Sequence, residues 1–135
     1  MSEENKAIAR QFLRMFELGD ASVVDAIVAT DYYNHDAPDP AIGNAGIKAV
    51  VKSFKGAMPD ARANIEFQIA DGDKVVSRYT WSGTHGGEFQ GVPASGNQVS
   101  WTATATFRIA GGKIREAWLN WDQWGLMRQL GAIPS

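Results

Sequence analysis

Val99-Ser100-Trp101-Thr102-Ala103-Thr104-Ala105-Thr106-Phe107-Arg108-Ile109 carries an apolar side chain at every second position from end to end. Side chains of a β-strand alternate between its two faces, so this stretch reads as a long strand with one face turned to a core. A strand of that length exceeds the common one, and the sheet that contains it must twist and curl to stay compact. Gly111-Gly112 then closes a hairpin. The following strand, Ile114 to about Trp124, alternates less cleanly. Ile114, Trp118 and Trp124 fall on one side and Ala117, Leu119 and Trp121 on the other, so both of its faces should be covered.

Working toward the N-terminus, a strand from Lys74 to about His85 follows the turn Asp71-Gly72-Asp73. Before that turn Ala63, Ile65, Phe67 and Ile69 alternate with Arg62, Asn64, Glu66 and Gln68, which predicts a half-buried strand with those four apolar residues inward. Upstream of Pro59 the period changes. Ile47, Val50, Val51 and Phe54 share one face of a helix over about Ala45 to Lys55, stopped by Gly56 and Pro59. Pro38 and Pro40 make the segment before it a loop. A short helix should start near Ser22, with Val23, Val24, Ile27 and Val28 apolar, and the chain changes character at Thr30-Asp31-Tyr32-Tyr33-Asn34-His35-Asp36. Ile8, Phe12, Met15 and Phe16 line one stripe of a first helix, Glu3 to Leu18, with Ser2 as candidate N-cap and Gly19 as its stop. Helices first and strands after describe an α+β domain, its N-terminal helices packed on a strongly curved, mainly antiparallel sheet. Such a cone-shaped α+β barrel encloses a cavity.

The 135 residues suit a single domain, 1–135, without covalent staples, and no repeat, linker or low-complexity segment divides them. The absence of cysteine excludes disulfides, thiolate metal sites and a cysteine nucleophile. Thirteen basic residues against fifteen acidic ones, scattered along the chain, give no footprint for nucleic acid or an anionic membrane, so the expected partner is a small neutral molecule. The acidic start Met1-Ser2-Glu3-Glu4-Asn5 differs from a secretory leader and no apolar run reaches spanning length, which points to a cytoplasmic protein. With two histidines and no ligand-spaced pair, no metal is expected.

Asp122 is the first candidate for chemistry. At even spacing with Trp118, Asn120 and Trp124 it should share a strand face with them, where loss of hydration would raise its pKa toward the range of proton transfer. The alternative is an acid that caps the turn into Gly125-Leu126-Met127. His35 is the second candidate, as base, acid or hydrogen-bond donor, against a structural role tied to the loop by Asp36. His85, among the glycines of Thr84-His85-Gly86-Gly87, is either a solvated hairpin histidine or a group at the cavity rim. Tyr33, Trp118, Asn120, His85 and Phe16 make up the expected ligand-contacting set. Most tryptophans should be core or interface, although aromatic walls also suit flat polycyclic ligands. Leu119 and Trp121, opposite the expected pocket face, would leave an apolar patch in water, so a homodimer or higher homo-oligomer is expected.

Several segments together resemble the SnoaL-like polyketide cyclase family of the nuclear transport factor 2-like superfamily. They are Gly46-Ile47, Met58-Pro59-Asp60, Asp71 through Arg78, Gly83 through Gly96, Gly112-Lys113-Ile114, and Trp118 through Asp122 to Gln129-Leu130-Gly131. The resemblance spans almost the whole chain in the family's order. It implies a cofactor-free intramolecular aldol cyclase acting on a polyketide-like ligand, with an aspartate of the last strand as acid/base, a role that falls on Asp122, and His35 as a pocket histidine. Ring hydroxylases share the same scaffold, and so would a domain that only holds an apolar ligand.

Overall fold

The structure is a computed structural model and describes residues 2–133. Its centre is the alternating stretch, the strand Gln98–Ala110, whose Val99, Trp101, Ala103, Ala105, Phe107 and Ile109 are all buried. Numbering in chain order, the elements are α1 (Ser2–Leu18), α2 (Val24–Ile27), β1 (Val28–Asn34), α3 (Gly43–Ala57), β2 (Arg62–Asp71), β3 (Lys74–Thr84), β4 (Gln98–Ala110), β5 (Lys113–Trp121) and α4 (Gln123–Gln129). The five strands form one open, mixed sheet in the order β1-β5-β4-β3-β2. Neighbours are antiparallel except β1 and β5, which run parallel. Helices α1 and α3 cover the concave face, where Phe12 meets Phe107 edge-on at 5.1 Å. This is the α+β cone expected.

Several expectations are corrected. Val28, expected in the short helix, instead opens β1, Val28–Asn34, a strand that was not expected, whose burial brings Tyr32 and Asn34 inward and leaves Tyr33 outward. Its hydrogen bonds come from β5, a strand distant in sequence, so no local signal announced it. Ser2 lies within α1 rather than capping it.

In β2 the apolar alternation is broken by a bulge at Glu66. Ile65 pairs with Tyr79 while Phe67 pairs with Arg78, so one residue has no partner and every later side chain changes face. Phe67 and Ile69 are therefore exposed, by 51% and 59%. The gain is at Gln68, which now faces α1. Its Nε2 donates to the Lys6 carbonyl (3.1 Å) and the Ser77 hydroxyl (3.1 Å), and its Oε1 accepts from Arg10 (2.8 Å). Ser77 is fully buried, so the amide also answers a hydroxyl that would otherwise lose its water.

A second bulge, at Arg115, does the same in β5, where Arg108 pairs with Glu116 but Ile109 with Ile114. Ile114, Ala117, Leu119 and Trp121 consequently share the inward face and Trp118 turns outward, while Asn120, near the strand end, still borders the interior. The imperfect alternation read from sequence has this cause. Leu119 and Trp121 border the interior instead of forming an external patch. Finally, β5 ends at Trp121, and Asp122 is the N-cap of α4, its Oδ1 accepting from Gly125 N at 2.9 Å.

Candidate functional site

Between the concave face and helices α1 and α3 lies a cavity of about 470 Å³, within the range of small-molecule sites. Among the inward side chains that the three middle strands bring to it, Ala103 is the small one. Ala103 forms part of the floor, and Phe16, Phe54, Trp81, Trp101 and Trp121 rise around it. The aromatic walls brace one another. Trp81 stacks on Trp101 at 6.2 Å and 23°, and Phe54 meets Trp81 edge-on at 5.0 Å.

Polar groups are few. Tyr32, Asn34, Asp36 and Asp39 come from β1 and the loop after it, Tyr79 from β3, Gln90 from the loop between β3 and β4, and Asn120 from the end of β5. Among the described residues no Lys, Arg or His lines the wall. Burial pushes the Tyr79 hydroxyl up to about 12. Burial lifts that of Tyr32 still further, opposed by a hydrogen bond from Asn34 and reinforced by the proximity of Tyr79. Both phenols are neutral donors at any ordinary pH.

Asn34 organises this end of the cavity. Its Oδ1 accepts from the Asp36 amide at 3.0 Å, which fixes the oxygen's identity and leaves the amide nitrogen as a donor. The main chain beside it is pinned twice more, by Asn34 N to Pro40 O and His35 N to Ala117 O, each 2.9 Å. The Asp36 backbone is thus held on both sides.

The structure separates the residues expected to act together. Phe16 and Asn120 line the cavity. Tyr33, His35 and Trp118 do not. They cluster outside the sheet, His35 stacked flat on Trp118 (4.5 Å, 2°) with Tyr33 edge-on to it at 4.8 Å. There His35 Nε2 meets Glu116 Oε2 at 2.8 Å, and Arg108 holds the other oxygen. These two partners, His35 first, keep the Glu116 carboxyl below its usual range. Asp122 is exposed, outside the cavity wall, and occupied with the first turn of α4. His85 is buried completely rather than solvated. Its Nδ1 accepts from Ser95 N at 3.1 Å, so the ring proton sits on Nε2, which meets no partner. It ties the root of the loop whose Phe89 and Gln90 reach the cavity. At the tip of that loop Gln90 has a φ of 48° and its side-chain oxygen accepts from Gln123 at 2.9 Å.

Sequence reasoning missed Tyr32, Asn34, Asp36, Asp39 and Tyr79 as site residues. Tyr32 and Asn34 are the neighbours of opposite parity to the chosen Tyr33 and His35, so recognising β1 would have found them. No group of three or more metal-ligating side chains occurs among the described residues, and no helix there is long and apolar enough to cross a membrane.

A family model, SnoaL-like polyketide cyclase, matches residues 6–130. No curated relative matches the chain. Among solved structures, TsrD from Streptomyces laurentii is 30% identical, with a TM-score of 0.88 and coverage of 98% of both chains. A protein from Acidithiobacillus ferrooxidans, provisionally described as a polyketide cyclase, is 28% identical with a TM-score of 0.84, covering 97% of this chain and 96% of its own. AclR from Streptomyces galilaeus, provisionally described as a hydroxylase, is 27% identical with a TM-score of 0.84, covering 99% of this chain and 100% of its own.

Proposed function

Because the chain belongs to the SnoaL-like polyketide cyclase family, we propose that it closes a ring in a small, flat, polyketide-type substrate by cofactor-free general acid/base catalysis in the aromatic cavity. The observation that carries this reading is the cavity wall itself, apolar and aromatic over most of its extent, with its carboxylates, Asp36 and Asp39, gathered on one loop. Rings on several sides hold a planar ligand in one orientation, and a carboxylate at the edge reaches a methylene that two carbonyls have made acidic.

Asp36 is the base in this proposal, since its backbone is held by Asn34 and its neighbours. It removes one methylene proton. The enolate carbon attacks a carbonyl carbon of the same molecule, a carbon–carbon bond forms, and the proton returns to the alkoxide. The product is an isomer of the substrate. Asp122, expected from the resemblance as acid/base, here supports α4, and Asn120, an uncharged amide, is the polar side chain that β5 brings to the cavity. The same cavity would also serve a ring hydroxylation or simple ligand carriage. The protein is further proposed to form a homodimer, through the outer face of the sheet rather than through Leu119 and Trp121.

The test is incubation with an aromatic β-ketoester bearing a neighbouring ketone, followed by chromatography and mass spectrometry. Ring closure gives a new species of unchanged mass. Asp36→Asn should lower its rate about 10²-fold, and Asp122→Asn should leave the rate per folded molecule near normal. A gain of one oxygen, or a ligand bound and returned unaltered, would replace the cyclisation reading by one of the other two.

A further inference from the structure

We infer that Tyr32 and Tyr79 together form the oxyanion-stabilising pair of this cavity, the place where the negative charge of an enolate or alkoxide comes to rest. The inference rests on the cyclisation reading and adds the half of the chemistry that a base alone leaves open. Taking a proton from carbon puts charge on an oxygen, and that oxygen needs donors where water has been excluded.

The cavity offers no cationic side chain for the task among the described residues. The donors present are neutral. Tyr32 and Tyr79 are 4% and 5% exposed, on the inward faces of β1 and β3, and both border the cavity. Their rings are held by neighbours, Tyr32 by Phe12 at 6.5 Å and Tyr79 by Trp81 at 6.3 Å edge-on. A donor that cannot reorient loses nothing when charge appears beside it.

Asn34 gives the pair its relation to the base. Asn34 shares the inward face of β1 with Tyr32 and borders the same cavity, while its Oδ1 holds the Asp36 amide. One short stretch, Tyr32 to Asp36, therefore brings to the cavity both the group that takes the proton and a group that receives the charge. Two neutral phenols also suit a ligand rich in carbonyl oxygens, since each requires an acceptor once its water is displaced. An ordinary hydrocarbon would leave both unpaired.

The experiment reads ionisation rather than turnover. A nitro-substituted naphthol, whose anion absorbs at longer wavelength than the neutral form, is titrated into wild-type protein, Tyr32→Phe and Tyr79→Phe across a pH series. The wild type should bind the anion, lowering the probe's apparent pKa relative to solution. Each phenylalanine variant, shown to be folded by circular dichroism, should raise that value by about one unit, tenfold in anion affinity. With the β-ketoester, the same variants should lose kcat with little change in KM. Folded variants that bind the probe with wild-type affinity and ionisation would overturn the inference. A wild type that ionises the probe yet never cyclises the ketoester would keep the donor pair and remove the cyclisation reading.

Discussion

At the scale of single residues, side-chain parity decided which candidates reached the cavity. Tyr33 and His35 were singled out for their chemistry, but Tyr32, Asn34 and Asp36 are the ones that border the interior, one position away in each case. The chemical types were legible, and the face was not, because the strand that orients them is completed by partners far away in sequence. For Asp122 the capping alternative is the one that the structure shows. Its even spacing with Trp118 and Asn120 is real, but the strand stops one residue before it. As an N-cap it should tolerate Asn, while Asp122→Ala should cost about 1 kcal/mol, measurable in urea midpoints. Glu116 makes a prediction about acid. Its folded pKa lies below the unfolded 4.5 because His35 and Arg108 hold the carboxylate. The stability it contributes is therefore present above 4.5 and lost as pH falls through the folded value. Glu116→Gln should flatten the acid limb of a melting-temperature profile below pH 4.5; a limb as steep as the wild type's would refute the role.

At the scale of elements, most of the sheet was readable, since β3 and β4 each keep one face inward from end to end. Both strands that misled contain a bulge. A single unpaired residue shifts the pattern by one, and nothing in composition marks where it happens. In β2 the shift exposes Phe67 and Ile69 in order to give α1 the amide of Gln68. Gln68→Leu would put an apolar side chain on the inward face but leave Ser77 buried without its partner. The apolar pattern alone calls that variant an improvement. The hydrogen bonds call it a loss of about 2–4 kcal/mol, and a denaturation curve displaced to lower urea is the expected result.

At the scale of the whole molecule, the cone was legible from the order of helices and strands, whereas the cavity inside it depends on where small side chains happen to lie opposite large ones. The outer face of β2 keeps Phe67 and Ile69 exposed, by 51% and 59%, and exposed apolar side chains side by side on an edge strand favour association. Light scattering at micromolar concentration should give twice the chain mass, and substitution of Phe67 and Ile69 by Lys should return the monomer; a wild type that is monomeric throughout would refute the dimer. The open space above Ala103 has a mechanical consequence as well. A folded chain that encloses voids occupies more volume than the same chain unfolded in water, so hydrostatic pressure works against it in proportion to that void. Compression thus becomes a gauge of occupancy. Ala103→Leu, or any ligand that fills the space, should make the protein stiffer, raising the pressure at which it unfolds even where the thermal midpoint barely moves.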